Sequence, residues 1–357
     1  MADYADTLVK ALRHSARPGI TIQDNASTAD CHISHLGNNR LHADIYTRAI
    51  GKPGIVVIHD AVLHHFLLGA LSEAEYVEEF VYNYGEWNRH VGEDLWRDRA
   101  ACSVDPRYFQ YPMLRRAVEQ AKAVIVHNPG AATIATAHGA RNVRIIPHFF
   151  EQSHPPDAFE TTRFREALGV KPGTTLFGIF GYLRETKRLL PCMRAFRRLH
   201  EVRPETALLI AGEAVSGDLN RLLSSEPPHP AIHRMGYLSD SQLGIASAAV
   251  DCGVNLRFPA AGETSGIAIH LMGIAKPVIL TEGPETADIP DAACLRVPAG
   301  HEEGEVLFRQ MAFVTEFPAL GRRIGEAAAA HIERHHSLAN AVEGYLQVID
   351  SIVVEPR

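Results

Sequence analysis

The sequence predicts an α/β protein made of two units, each built around a buried parallel sheet. Short runs rich in Val and Ile alternate with longer helical patterns, which is the order expected of strand–helix–strand units. This alternation stops at the proline-rich stretch 152–157 and then starts again. A chain of 357 residues is long enough for two domains of ordinary size.

The apolar runs define the expected strands. In the first unit they are 19–23, 31–35, 54–59, 123–127 and 143–147. In the second unit they are 175–181, 206–212, 232–236, 249–256, 277–280 and 293–297. Polar residues follow several of these runs, and the carboxyl ends of parallel strands are where such sheets bind ligands. A helical pattern over 327–353 is interrupted at 335–337, where Ser337 can cap a last helix over 338–352.

Composition and charge exclude several classes of protein. An apolar content of 46% and a charged content of 22% are typical of a globular protein. No apolar run approaches the roughly 20 residues that span a bilayer, and no secretory signal is visible, so we expect a cytoplasmic protein without a transmembrane segment. The net charge of −7 gives no reason to bind nucleic acid. The five cysteines form no C-x-x-C pair, which argues against disulfides and a zinc cluster.

The stretch NLRFPAAGETSGIAIHLMGIAKPVIL at 255–280 has the pattern of an anion-binding turn that opens a helix. Thr264 and Ser265 can cap a helix over 267–274, and Gly266 keeps the backbone open at its start. A helix start with unpaired N–H groups favours a negative ligand such as a phosphate. The alternative is a capped helix that binds nothing.

A second turn, in FGIFGYLRETKRLL at 177–190, follows a predicted strand. Gly181 lies in the turn, and Lys187 stands near the start of the next helix. Both turns belong to the second unit, so they can meet one diphosphate. The alternative for Lys187 is an ordinary solvated surface lysine.

Six segments of the second unit, in order, resemble the donor domain of retaining GT-B glycosyltransferases of the family four type. They are GYLRETKR, LLIAGE, MGYLSDSQL, the strand that ends at Asp251, NLRFPAAGETSG and AKPVIL, and they cover most of 175–300. The resemblance implies a GT-B fold with two Rossmann-like domains facing a central cleft. It implies an acceptor-side domain at 1–153, a donor domain at 154–336, and a closing helix at 337–357 that packs back on the first domain.

The same resemblance implies roles for residues of the donor domain. Lys187 would bind the donor diphosphate, the amides of 264–266 would hold phosphate, and Glu263 would contact the donor sugar, displaced by one residue from the family pattern. The arginine that usually follows the glycine is replaced by Tyr182, and Arg184 is the nearest substitute. The glutamate that usually grips the ribose is replaced by His270, which can hydrogen-bond a hydroxyl or can be a satisfied core residue.

The first unit resembles the acceptor domain of the same family through HLGNNRLH, VVIHDAVLHH, AVIVHN and VRIIPHFFE. The resemblance implies that His59, at a strand end, borders the reaction centre with Asp60 behind it. Asn38, Asn39 and His42 carry amide and imidazole groups suited to the hydroxyls of an acceptor. For these three residues, a turn built by Gly37 and Asn38 is an equally good explanation.

The beginning of the chain departs from the family. Residues 3–14 have the pattern of the first helix, without the strand that precedes it in the family and lies in the middle of the sheet. We therefore expect 3–14 to be helical, 19–23 to be the first strand, and translation to begin upstream, because a missing central strand leaves two edges unpaired. The alternative is a domain that closes its sheet in another way.

These patterns predict a glycosyltransferase that moves a hexose-type sugar from a nucleotide diphosphate sugar, with retention, to a small or lipid-linked acceptor. The chain has 20 histidines but no H-E-x-x-H and no Asp-x-Asp motif, so we expect a site without metal or other cofactor. An epimerase of the same shape is disfavoured because we find no set of acidic residues for proton abstraction. A non-catalytic homologue that binds nucleotide sugar or serves as a partner subunit stays open, because Tyr182 and His270 replace two usual donor contacts.

Overall fold

The computed structural model describes residues 2–23, 29–151 and 155–353. The chain divides into two compact units. Unit 1 comprises Met1–Phe149, Pro259–Thr264 and His336–Arg357, and unit 2 comprises Phe150–Phe258 and Ser265–His335. The resemblance implies that 259–264 is part of the donor domain, whereas in the structure this loop belongs to unit 1.

Unit 1 contains a four-stranded parallel sheet in the order β1-β2-β3-β4. The strands are β1 Ile33–Leu36, β2 Ile55–Ile58, β3 Ala123–Val126 and β4 Val143–Ile145. Every residue of β2 and β3 is buried, as expected of central strands that are covered on both faces.

The helices of unit 1 cover both faces of this sheet. They are α1 Ala2–His14, α2 Ala43–Gly51, α3 His64–Ala70, α4 Glu73–Tyr84, α5 Arg89–Arg97, α6 Arg107–Gln110, α7 Arg115–Val118, α8 Pro129–Ala137 and α16 Leu338–Val353. One face packs with α1 and α16 through Leu8, Leu12, Val57, Ile125 and Tyr345. The other face packs with α2–α8 through residues that include Val56, Ile58, Phe66, Phe80 and Val124. The amino-terminal helix and the last helix therefore complete the same apolar core.

The region that precedes β1 differs from the sequence prediction in one respect. The helix expected at 3–14 is confirmed, but the strand expected at 19–23 is wrong, because these residues form a turn and an irregular segment that pairs with no strand. Ile20 and Ile22 are half-buried against the core under α1 and α16, and Arg17 pairs with Glu343 and Asp350 of α16. The alternation of apolar and polar residues thus reflects packing of a loop on helices.

Unit 2 contains a six-stranded parallel sheet in the order β10-β9-β8-β5-β6-β7. The strands are β5 Thr175–Phe180, β6 Thr206–Ala211, β7 Ile232–Met235, β8 Cys252–Asn255, β9 Val278–Thr281 and β10 Leu295–Val297. Each of the six strands overlaps a run that the sequence predicts. The largest difference is at β8, which starts three residues later than expected because Ala249 ends the preceding helix.

The helices of unit 2 are α9 Ala158–Ala167, α10 Leu189–Val202, α11 Gly217–Ser225, α12 Asp240–Ala249, α13 Gly266–Gly273, α14 Glu303–Glu316 and α15 Pro318–His335. The predicted break near 335–337 separates α15 from α16, and Ser337 accepts a hydrogen bond from the Asn340 amide (3.1 Å), which confirms it as a cap. Within the described part of the chain, no helix is both long enough and apolar enough to cross a membrane.

The packing of α1 leads to a stability prediction. Leu8 is buried between the sheet of unit 1 and α16, so Leu8→Ala is expected to lower the free energy of unfolding by about 2 to 5 kcal/mol, the usual cost of a core cavity. Lys10→Ala, on the exposed side of the same helix, is the matched control and should change it by less than about 0.5 kcal/mol. Denaturant titration measures both values. Equal effects of the two variants would contradict this packing.

Candidate functional site

In unit 2, the two segments singled out in the sequence meet at the carboxyl end of β5. Gly181 follows β5 with φ +83°, and a Cβ placed on it would lie 3.2 Å from Nζ of Lys187 and 3.5 Å from Cγ1 of Ile267, at the start of α13. The backbone conformation favours glycine here, and any side chain would have to displace the lysine ammonium. The turn after β5, the lysine ammonium and the first turn of α13 are therefore neighbours.

Lys187 ends a short 3-10 turn, Glu185–Lys187, that leads into α10. Its side chain is 6% exposed, and Nζ donates a hydrogen bond to the Phe180 carbonyl at the end of β5. This burial rules out the solvated-surface alternative. A buried ammonium at the carboxyl end of a strand is a strong partner for an anion that reaches it.

The start of α13 has the predicted cap. The hydroxyl of Ser265 accepts hydrogen bonds from the Ala268 amide (3.4 Å) and from the side-chain amide of Asn255 (2.6 Å), which ends β8. Gly266 is exposed as the first helical residue. The helix dipole and its unpaired amides favour negative charge at this end.

A cavity of about 580 Å³ lies next to the turn after β5. The loop after β5 pairs with the loop after β6, since the Leu183 amide donates to the Glu213 carbonyl (2.8 Å) and the Val215 amide donates to the Leu183 carbonyl (2.9 Å). The cavity is lined by these loops and the end of β7, with Leu183, 212–217, Asn220 and 234–236. Its position at the carboxyl ends of three strands fits a bound ligand.

Tyr182 and Arg184, in the turn after β5, both lie at the surface. Tyr182 is 61% exposed, and the side chain of Arg184 is exposed as well. Arg184 also starts the 3-10 turn, because its carbonyl accepts a hydrogen bond from the Lys187 amide (3.0 Å). Its guanidinium is thus attached to the turn that carries the buried lysine.

His270 lies in α13 and makes a core contact. Its Nε2 is 2.9 Å from the hydroxyl of Ser247, which is fully buried and also donates to the Leu243 carbonyl. Burial lowers the pKa of His270. This contact leaves at most one ring nitrogen for a ribose hydroxyl, which favours the core-residue explanation.

The loop 259–264 is held in unit 1 by Asn128, a residue that the sequence analysis did not single out. The side-chain amide of Asn128, 1% exposed, donates to the Gly262 carbonyl (3.0 Å) and to the hydroxyl of Thr264 (2.9 Å). The Val62 amide donates to the Ala261 carbonyl (3.0 Å). Through these contacts Glu263 and Thr264 belong to unit 1, whereas the resemblance assigns both residues to the donor domain. Asn128 follows β3, so the rule that polar strand ends mark ligand sites could have found it.

Glu263 folds back on its own loop. Its Oε2 accepts a hydrogen bond from the Ala261 amide (2.7 Å), and Gly262 between them has φ +73°. A Cβ on Gly262 would lie 2.6 Å from the Cβ of Ala61, so the loop packs tightly against the segment after β2. The carboxylate is therefore held close to the carboxyl edge of the unit 1 sheet.

Four histidines form a row across that edge, and we call them the histidine row: His35, His59, His127 and His148. His35 Nδ1 is 3.0 Å from His59 Nε2, and His59 Nδ1 is 3.3 Å from His127 Nε2. The ring of Tyr4, from α1, contacts all four imidazoles with centroid distances of 4.8 to 6.0 Å. Within the described residues, no group of three or more His, Cys, Asp or Glu side chains is arranged to hold a metal ion.

One carbonyl sets the proton positions in three members of the row. His127 Nδ1 is 2.8 Å from the Ile146 carbonyl, which only accepts, so this nitrogen carries the proton. In a neutral imidazole the other nitrogen accepts. His127 therefore accepts from Nδ1–H of His59, and His59 in turn accepts from Nδ1–H of His35. Both ring nitrogens of His59 are therefore engaged by neighbouring imidazoles.

The other acceptor-side candidates build the loops after β1 and β2. Asn38 donates from its backbone to Asp60 (2.7 Å), accepts from the Phe66 amide at Oδ1 (2.7 Å), and contacts His65 through Nδ2 (3.2 Å). The side chain of Asn39 accepts from the Leu41 amide (2.9 Å). His42 Nδ1 lies 2.9 Å from the Gly37 carbonyl. The turn explanation therefore accounts for Asn38, Asn39 and His42, while Asp60 lies where the two loops meet.

The histidine row leads to a pH prediction. Burial lowers the pKa of His35 and His127 to about 4 and that of His148 to about 3, whereas unfolded imidazoles titrate near 6.5. Between these values the unfolded chain binds more protons than the folded one. Stability should be complete above pH 6.5 and fall toward pH 4, by up to about 1.4 kcal/mol per pH unit for each histidine.

Thermal unfolding between pH 7.5 and 4.5 measures this dependence. His148→Phe keeps a ring next to Tyr4 but cannot take up a proton, so its melting temperature should fall less steeply with pH. His90→Asn, at an exposed position, is the control and should follow the parent chain. An unchanged slope for His148→Phe would contradict the assignment of the acid lability to the row.

Three solved structures illustrate what the chain is similar to. HepE from Anabaena in complex with UDP-glucose has a TM-score of 0.63 and 14% identity, over 90% of this chain and 78% of its own. Sucrose-phosphate synthase from Thermosynechococcus elongatus has a TM-score of 0.62 and 14% identity, over 91% and 74%. WaaG, a glycosyltransferase involved in lipopolysaccharide biosynthesis, has a TM-score of 0.58 and 16% identity, over 99% and 82%.

Comparison of the sequence with protein families and with curated proteins finds no match. The structural similarity shows a shared fold, and at 14–16% identity it shows nothing beyond the fold. The chain has the two parallel-sheet α/β units of the GT-B glycosyltransferase fold.

Proposed function

We propose that the protein is a glycosyltransferase that moves a hexose-type sugar from a nucleotide diphosphate sugar to a small or lipid-linked acceptor, with retention. The observation that carries this proposal is the meeting of Gly181, the buried ammonium of Lys187 and the start of α13 in unit 2. A lysine ammonium and helix amides at one point are the groups that bind a diphosphate. HepE, which shares the fold, is known in complex with UDP-glucose.

In this proposal the donor lies along the carboxyl edge of the unit 2 sheet. The nucleoside occupies the cavity beside the turn after β5, where the side chains of Glu213 and Asn220 can hydrogen-bond hydroxyl or base groups. The diphosphate lies at Lys187 and at the amides of Ser265 and Gly266. The exposed guanidinium of Arg184 is attached to the same turn and can close over the phosphates.

The donor groups have one chemical task, which is to stabilise charge on the leaving diphosphate. As the bond from the sugar anomeric carbon to the phosphate oxygen breaks, negative charge grows on that oxygen. Preorganised cations and amides stabilise such charge most when water is excluded. Lys187 supplies the positive charge that a metal ion supplies in other sugar transferases, so we propose a metal-independent enzyme. We also propose a cytoplasmic location, as expected from the sequence, in which no secretory signal is visible.

The acceptor-side residues of unit 1 take supporting roles. Glu263 orients the donor sugar, and the carboxylate of Asp60 accepts a hydrogen bond from the acceptor hydroxyl. His59 acts through the neutral histidine row, and Asn38 through the loop that it organises around Asp60. Asn39 and His42 shape the adjacent turn.

A second candidate function, nucleotide-sugar binding without transfer, is supported by two observations. Tyr182 is exposed where the family has an arginine, and His270 is engaged by Ser247 where the family has a glutamate. Saturable binding of a nucleotide sugar, without donor hydrolysis or transfer to a broad acceptor panel, would favour this candidate.

The experiment that tests the proposal is a thermal-shift screen followed by a turnover assay. A ligand that binds only the folded state raises the melting temperature. We expect at least one nucleoside diphosphate or its sugar to raise it, and the matching nucleotide sugar to be hydrolysed slowly or transferred. No shift with UDP, dTDP, GDP, ADP or their hexose conjugates would overturn the proposal.

Lys187→Ala tests the residue on which the donor site depends. Removing one charged partner of the leaving group is expected to raise the activation free energy by about 2 to 4 kcal/mol, measured as a loss in kcat/KM. Lys171→Ala, at an exposed position of unit 2, is the matched control and should keep full activity. Activity of Lys187→Ala within about threefold of the parent chain would refute the assignment.

Glu263→Gln tests whether Glu263 contacts the donor sugar or the diphosphate. The glutamine keeps the size of the side chain but loses its charge, so kcat should fall while the dissociation constant of the nucleoside diphosphate stays nearly unchanged. Calorimetry measures the constant, and initial rates give kcat. A collapse of nucleoside diphosphate affinity would show that Glu263 contacts the diphosphate instead.

A further inference from the structure

We propose that Glu303, at the start of α14, is a positioning residue for Lys187. Glu303 positions the lysine by holding Arg188, the next residue in the chain, in a left-handed backbone conformation. This conformation directs the lysine toward the end of β5. This inference rests on the proposed function, because the contact between Glu303 and Arg188, which we call the clamp, is taken to serve donor binding.

The backbone at Arg188 is unusual for a residue with a side chain. Its φ is +57° and its ψ is +37°, at the junction between the 3-10 turn Glu185–Lys187 and α10. Residues other than glycine disfavour this region because Cβ approaches the following carbonyl. Such a conformation persists where surrounding contacts enforce it.

Two contacts of the Arg188 side chain enforce this conformation. Its Nε lies 2.9 Å from both carboxylate oxygens of Glu303, whose side chain is only 4% exposed. The guanidinium also stands 5.8 Å from the ring centroid of Phe258. The amide of Phe258 in turn donates to the Thr186 carbonyl inside the 3-10 turn (2.8 Å). The turn is thus held by Phe258 at Thr186, and the residue that follows the turn is held by the buried carboxylate of Glu303.

Glu303 has a second titratable neighbour, Cys192 of α10. Burial, reinforced by the Glu303 carboxylate, raises the pKa of Cys192 to about 12, so the thiol stays neutral. Arg188 is therefore the charge that balances this buried carboxylate. Loss of either partner leaves the other at higher cost, since a buried charge needs its counter-charge.

The consequence for donor binding follows from the chain direction. Arg188 in the left-handed region starts α10, because its carbonyl accepts from the Cys192 amide (3.0 Å). It also sends the preceding lysine back toward Gly181, where Nζ is found. A residue released from this conformation would turn the backbone and move the ammonium away from the start of α13. Glu303 therefore sets the position of a charge that it does not itself contact.

A double-mutant cycle tests this inference. The variants are Glu303→Gln, Arg188→Gly and the double variant, and the probes are UDP, dTDP, GDP and ADP, measured by calorimetry with the one that binds the parent chain best. Glu303→Gln should weaken nucleotide binding by roughly fivefold to tenfold. The double variant should return to within about twofold, because glycine adopts the left-handed conformation without a clamp. Glu305→Gln, which breaks ion pairs of the same helix with Arg198 and Arg309, is the control and should leave affinity unchanged.

Melting temperatures distinguish positioning from simple stabilisation. If the pair only stabilises unit 2, Glu303→Gln lowers the melting temperature while its nucleotide affinity equals that of the parent chain, and the inference is overturned. If Glu303→Gln does not fold, the double variant decides: parental affinity supports the inference, and weakened affinity overturns it. A parent chain that binds none of the four nucleotides would refute the proposed function itself, a result separate from the failure of the clamp alone.

Discussion

The candidate site depends on a lysine ammonium buried at the end of a central strand. Lys187 can hold this position because Gly181 lacks a side chain and because the Phe180 carbonyl accepts a hydrogen bond from its ammonium group. A buried ammonium is costly unless anions or dipoles surround it. The capped start of α13 brings amides to the same place, so an anionic ligand would complement both groups. The two groups meet because β8, the strand before α13, lies next to β5 in the sheet.

The carboxyl edge of the unit 1 sheet is organised by neutral hydrogen bonds instead of charge. Burial keeps the imidazoles of the histidine row neutral, so each ring carries one N–H. The Ile146 carbonyl fixes which nitrogen of each linked ring donates. Because Tyr4 packs on all four rings, the amino-terminal helix and the row stabilise each other. Asn128 hydrogen-bonds the loop 259–264 and holds it in unit 1. The last residue of this loop, Thr264, directly precedes Ser265, the cap of α13.

Local patterns predicted much of the fold, because strands and caps depend on neighbouring residues. The six strands of unit 2, the helix at 3–14 and the caps at Ser265 and Ser337 follow from such signals. The strand expected at 19–23 failed because Ile20 and Ile22 pack on helices distant in sequence. The placement of Glu263 and the engagement of His59 also depend on distant partners, Asn128 and His35. Nothing in the residues around Arg188 indicates its left-handed backbone, and Glu303, its ionic partner, lies 115 residues away in the sequence.

The central claim is that a diphosphate binds where Lys187 meets the first turn of α13. A crystal structure of the protein with a bound nucleoside diphosphate tests it most directly. We expect oxygens of the β-phosphate within hydrogen-bond distance of Nζ of Lys187 and of the backbone amide of Gly266, with the nucleoside in the cavity beside Leu183 and Asn220. A diphosphate bound away from both groups, with Nζ still turned to the Phe180 carbonyl, would contradict the account.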